Sequence, residues 1–281
     1  MAIGDTIGKG GSFIRKCIAL GYAVLLTYVI VSTTAILGLA TDQPDSAKDL
    51  AYITEQYPPF NFQEDGRLQG ISIDLLEKVW ERMGENLNRS IIKLLPWTEC
   101  YQRTLNEKDT VLFAMARSPQ REQLFKWAGP IGPFRTVLLA KRDRNVSIAS
   151  PEDLNNYKIG AIRDDNAIQM LLDKGVNRGN LQLEITSEPI IEMLENGSID
   201  AWAHGDMAGI WLIQQSGANA SDYVVAYVLG QTDAYYAFNR ETPDSLVQSF
   251  QEALDYIKSN KDKDGVGDYE KILSKYVPTM L

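Results

Sequence analysis

Between residues 51 and 115 short apolar stretches alternate with segments of helical periodicity, and after Lys141 the same alternation begins again. Residues 51–54, 91–95 and 111–115 predict strands. Residues 71–82, with Ile73, Leu76 and Val79 at helical spacing, and a segment reaching Leu105 after Pro96 predict the helices between them. Strand and helix in strict turn predict a parallel sheet covered on both faces. The second set has strands at 157–162, 181–185, 200–203 and 223–228, with helices at 167–172, 189–195 and from Gly205-Asp206 to Gln214. Two sets of similar size predict an α/β chain of two lobes. The tail after Gly230, with a strand at 235–238 and helices at 243–257 and 269–275, is too short for a core of its own and is expected to fold back onto the first lobe. Lobe 1 is therefore expected at residues 49–140 and 231–281 and lobe 2 at 141–230, with crossings near 140–144 and 230–233. Two crossings make a hinge.

Residues 1–40 stand apart from this pattern. Arg15-Lys16 precedes a long apolar run that ends in the small residues Gly38 and Ala40, which fits a secretory signal peptide or an N-terminal membrane anchor. Either way the folded part is expected to be exported, behind a polar linker at 41–48. The formal net charge is −9, and since residues 1–40 carry +2, the remainder carries −11. That balance argues against a nucleic-acid surface. Cys17 lies in the apolar run, leaving Cys100 without an internal partner, and His204 is the single histidine. A Cys/His metal site, a bound cofactor and a catalytic triad are not expected from such a set.

The stretch at residues 111–135 holds the chemistry. An apolar strand breaks at Ser118-Pro119, and Arg117 and Arg121 stand where the chain is expected to turn into a short helix. In open α/β sheets ligands bind beyond the carboxyl ends of strands, and a guanidinium fork there suits a carboxylate. The alternative for both arginines is a surface ion pair. Tyr57, Phe60 and Trp97 fall at turns after strands on the same expected edge, where rings either wall a ligand or pack the core. In the second set, Asp164, Asp165 and Asn166 are good N-caps for the helix that comes after Arg163.

These residues also carry a resemblance. Tyr57-Pro58-Pro59-Phe60, GISIDL at 70–75, Pro96-Trp97, ARSPQRE at 116–122, WAGPIG at 127–132, IGAIRDD at 159–165 and TPDSLVQSFQEALDYI at 242–257 resemble, in this order, the extracellular solute-binding proteins of family 3. Those are the amino-acid-binding components of bacterial ABC importers. The resemblance implies the two-lobed periplasmic-binding-protein type II fold, a periplasmic location, a small zwitterionic ligand and an ABC permease as partner. It also implies that Arg121 holds the ligand α-carboxylate with Ser118 beside it, Arg117 being a second candidate. Ala116 stands where the family often has another hydroxyl. The Arg163–Asn166 turn matches one whose amides receive the carboxylate, but it offers acids in place of glycines, which favours a cationic group on the ligand. Asp206, one residue out of register, matches the acid that pairs with the ligand ammonium; its alternative is a helix N-cap. Two other readings are an enzyme like cyclohexadienyl (arogenate or prephenate) dehydratase, with Asp164, Asp165 or Asp206 as the acid, and a ligand-sensing module.

Overall fold

The computed structural model of the chain describes residues 46–276. The signal peptide or anchor read from residues 1–40, and the first part of the linker, lie outside the described residues. Among the described residues no helix is long and apolar enough to cross a membrane.

The strands are, in chain order, β1 (Ala51–Thr54), a hairpin of β2 (Phe62–Glu64) and β3 (Arg67–Gln69), β4 (Lys93–Leu94), β5 (Thr110–Ala116), β6 (Phe125–Lys141), β7 (Ile159–Ile162), β8 (Leu181–Glu184), β9 (Ala201–Gly205) and β10 (Tyr223–Asn239). Outside the hairpin they form one eight-stranded sheet in the order β4-β1-β5-β10-β6-β9-β7-β8. At one end β1 pairs parallel with β4 and β5, and at the other β7 pairs parallel with β8 and β9. Between these parallel sets lie β6 and β10, each 17 residues long and antiparallel from Tyr223↔Lys141 to Asn239↔Phe125. Each of the two long strands serves both lobes.

This is the α/β architecture expected, with two differences. Residues 223–228 and 235–238, read as separate strands, are one strand. Gly230 and the polar residues around it look like a break in sequence, but β10 absorbs them by register shifts at Val225/Tyr227, Val228/Gly230 and Ala234/Tyr236. Within β6, residues Thr136–Leu139 pair antiparallel with β9. The segment after Ser118 is a run of turns and not a short helix: the amides of Arg121 and Glu122 both donate to the Ser118 carbonyl, and no longer ladder forms before β6.

The tail folds back as its shortness demands. In the helix Asp244–Ser259, Leu246, Phe250, Leu254 and Ile257 fall at helical spacing and pack with Val79 and Trp80 of the helix Ile71–Met83 and with Val111 and Phe113 of β5. Each such side chain contributes about 1.5 to 3 kcal/mol on burial. Polar contacts fix the same docking: Gln251 both accepts from the Gly129 amide and donates to the Gly129 carbonyl, and Lys258 donates to the Pro130 carbonyl. The second lobe has its own core of Leu138, Ile159, Ala161, Leu171, Ala201 and Ala203.

Candidate functional site

Four strands end at one place. β1 delivers Glu55 and Tyr57, β5 delivers Arg121 through its run of turns, β7 delivers Asp165, and β9 carries His204 next to its last residue. The first two strands belong to the first lobe and the last two to the second, so the site lies between the lobes at the carboxyl ends of their strands.

Arg121 is 5% exposed. Its Nη1 donates to the Ala116 carbonyl at 3.2 Å and its Nη2 to the Asp164 carbonyl of the other lobe at 2.6 Å. The rings of Trp97 and Tyr101 lie side by side against the guanidinium, with their centroids 5.1 and 5.3 Å from it. Burial works against its charge and the Asp165 carboxylate works for it. Among the described residues no carboxylate closes an ion pair with it, so this is a desolvated cation with hydrogen-bonding capacity for an anion. Thr98 Oγ1 to the Arg163 carbonyl (3.3 Å) and Gln102 Nε2 to Asp164 Oδ2 (3.1 Å) complete the seam between the lobes.

Around Arg121 a cavity of about 20 Å³ is walled by Glu55, Tyr57, Trp97, Phe134, Asp165 and Asn166. A second, of about 240 Å³, shares Glu55 and Trp97 with it and extends to His204, Ser187 and Glu188. A third, of about 670 Å³, opens outward past Ser118, Arg121, Arg163 and Asp164. Burial and the neighbouring Asp165 push the Glu55 carboxyl well above the usual range, with Arg121 pulling it back. Asp165 also caps the helix Asn166–Asp173, accepting from the Ala167 amide at 2.8 Å. Tyr57 packs edge-on against His204 at 5.3 Å and Phe134 at 5.5 Å, and a Cβ at Gly205 would stand 2.2 Å from its hydroxyl. Glycine there lets a ring of the first lobe rest on the backbone of the second.

Of the residues singled out from the sequence, Arg121, Tyr57, Trp97, Asp165 and Asn166 come together at the small cavity. Ser118 and Arg163 border the outward cavity with Arg121, and the Ser118 hydroxyl is buried without a partner. Arg117 stands apart: its guanidinium is bidentate on Glu122, at 2.7 and 2.6 Å, and faces Trp127 and Tyr235. Neighbours along the chain diverge here because Arg117 leaves the strand end on the opposite side. Phe60 and Asp206 line a different, apolar groove of about 680 Å³ beside the crossing strands. There Asp206 is held by Arg135 at 2.6 Å and accepts from the Met207 amide; it is the first residue of the helix Asp206–Gln215 and not its N-cap, which is Gly205.

Glu55, Tyr101, Phe134 and His204 were not recognised from the sequence as site residues. Glu55 had a usable signal, since it is the first residue after β1 and the strand-end rule that marks Arg121 applies to it equally. His204 sits one residue before the end of β9 by the same rule. Phe134, inside a crossing strand, had none.

Two α/β lobes joined by paired strands and meeting over a buried arginine define the class of proteins that enclose a solute by hinge closure. The chain belongs to the bacterial extracellular solute-binding proteins, family 3, matched over residues 51–279. It is similar to the probable amino-acid-binding protein YxeM of Bacillus subtilis (strain 168), at 23% identity over 266 residues, 91% of this chain and 94% of that protein. It is also similar to a probable histidine-binding protein of Campylobacter jejuni, at 22% identity over 223 residues, 78% of this chain and 81% of the relative. Among solved structures, a histidine kinase sensor domain with similarity to periplasmic binding proteins has a TM-score of 0.68 at 23% identity, covering 82% of this chain and 97% of its own. An ancestral arginine-binding protein bound to glutamine has a TM-score of 0.66 at 20% identity, covering 82% and 99%. These two share the fold with this chain.

Proposed function

We propose that this protein binds an amino acid between its lobes in the periplasm and delivers it to the permease of an ABC importer. The lobes meet at residues 133–135 of β6 and 231–233 of β10, which serve as the hinge. The ligand carboxylate takes the Nη groups of Arg121, with the Ser118 hydroxyl at hand. Its ammonium faces Asp165 and Glu55, and Tyr57, Trp97 and Phe134 cover its body. Asp165 replaces Asp206 in the ammonium role, because Arg135 already occupies Asp206. Binding and not turnover is the role, in keeping with a family of solute-binding proteins.

The observation that carries this reading is Arg121, buried against two rings and, among the described residues, without a carboxylate partner of its own. Isothermal titration of the purified protein against the common amino acids tests it. One class is expected to bind, and Arg121→Ala is expected to remove that binding, since losing one partner of a buried charge pair costs about 2 to 5 kcal/mol. Near-normal affinity in a folded Arg121→Ala protein would overturn the assignment.

A further inference from the structure

The helix Asp206–Gln215, which follows β9 in the second lobe, is apolar on two opposite sides. At about 100° per residue, Gly209, Ile210 and Ile213 fall on one side and Met207, Ala208 and Trp211 on the other. The first side serves its own lobe. Ile210 and Ile213 pack with the cluster that holds Leu139, Ile199 and Trp202, and a Cβ at Gly209 would stand 2.4 Å from the Leu139 side chain. A helix that is apolar all round needs cover on its other side too.

That cover comes from the first lobe. Ala208, 1% exposed, lies in the apolar cluster that contains Tyr57, Phe60 and Ile71. One turn further on, the Trp211 ring meets the ring of Phe62 in β2 edge-on, at 5.8 Å and 62°. Phe62 is backed by Tyr276 at 6.2 Å and 85°, and Tyr276 donates to Asp74 of the helix Ile71–Met83 at 2.8 Å. The receiving surface is thus anchored in packed elements of the first lobe. Met207 lines the 680 Å³ groove beside these contacts. None of Phe62, Ala208, Trp211 or Tyr276 lines the cavities about Arg121.

We infer that this helix is a latch: Ala208 and Trp211 dock on Phe62 and its neighbours when the lobes close, whether or not a solute is present, so part of the empty protein is already closed. Rotation about the crossing strands uncovers the two side chains to water, so the contact favours the closed form alone. Trp211 is then a positioning residue. It strengthens binding without touching the solute, because less of the binding free energy goes into completing closure. The inference takes the hinge from the proposed function and nothing from the identity of the solute.

The test is double electron–electron resonance on the purified protein dialysed free of solute. Spin labels are placed at Lys93→Cys and Gln182→Cys, exposed positions on the edge strands β4 and β8, one in each lobe. Cys17 is replaced by serine, and Cys100 is buried and takes no label. The unaltered protein is expected to give two distances, one of them that of the closed structure. Trp211→Ala is expected to lower the ratio of closed to open molecules roughly tenfold. Phe62→Ala is expected to do the same from the other lobe, and the two together to go little further, since both remove one contact. Trp211→Phe, which keeps a ring, is expected to retain most of the closed population. A role confined to packing within the second lobe would lower the melting temperature of Trp211→Ala and leave the ratio unchanged, which overturns the inference. Should Trp211→Ala not fold, an unchanged ratio in Phe62→Ala overturns it equally. A single, open distance in the unaltered protein also overturns it and needs no variant. The amino-acid reading survives each of these results, because none of them measures solute binding.

Discussion

His204 gives the cleft a pH dependence whose direction is fixed by burial. In the unfolded chain its imidazole titrates near 6.5, and in the folded protein at about 4, because the enclosed ring disfavours its charged form. Between those values the unfolded chain carries the proton and the folded protein does not. Its contribution to stability is therefore complete above pH 6.5 and is lost as the pH falls towards 4, by on the order of 3 kcal/mol. Asp165 is the charged group facing it and opposes the shift, while Tyr57 and Trp202 close off the rest of the ring. Glu55 runs the other way: its carboxyl is raised by burial and by Asp165, so it contributes stability in acid that disappears as the pH rises through its folded value. Comparing thermal melts of the unaltered protein and His204→Phe from pH 7 to pH 4 isolates the histidine, since Glu55 is common to both. The unaltered protein is expected to lose more stability over that interval. A difference between the two that does not change with pH would refute the account.

At the scale of elements, one of the side chains that fasten the helix Asp244–Ser259 to β6 satisfies two backbone groups at once. Gln251 accepts from the Gly129 amide at 2.8 Å and donates to the Gly129 carbonyl at 2.9 Å. Gln251→Ala leaves both groups without a protein partner and is expected to cost about 1 to 3 kcal/mol, a fall of several degrees in Tm, with ligand affinity unchanged because the contact is remote from the cleft. Unchanged melting would mean that solvent replaces both bonds without cost. The sequence disclosed this helix and the others because amphipathic spacing is a local property: the predicted 71–82 is Ile71–Met83 and the predicted 243–257 is Asp244–Ser259. β1 was legible for the same reason. The long crossing strands were not, since Gly230 and Asp233 read as breaks locally and are held extended only by pairing with residues about a hundred positions away. The site divides along the same line. Arg121, Tyr57, Trp97 and Asp165 lie at element ends that periodicity locates, whereas the ion pair of Asp206 with Arg135 joins residues far apart in the chain and is not announced by the sequence.

For the whole molecule, one of the contacts between the lobes leaves no room for a side chain. The Tyr57 hydroxyl of the first lobe lies against Gly205 of the second, where a Cβ would stand 2.2 Å from the oxygen and 2.8 Å from Cζ. Tyr57 has little room to retreat, with Phe60, Phe134 and His204 packed around its ring. The backbone at Gly205 has φ −62° and ψ 136°, a conformation any residue adopts, so Gly205→Ala introduces no local strain within its own lobe. The added methyl therefore acts almost solely on the closed state. Each ~1.4 kcal/mol by which it raises that state weakens binding about tenfold, because the ligand must supply the difference from its contacts with the second lobe. Gly205→Ala is expected to melt like the unaltered protein without ligand, to bind its amino acid at least about tenfold more weakly, and to show a smaller drop in radius of gyration by small-angle X-ray scattering when saturated. Full compaction at unchanged affinity would mean that Tyr57 yields to the methyl, and that its contact with Gly205 does not govern how far the lobes close.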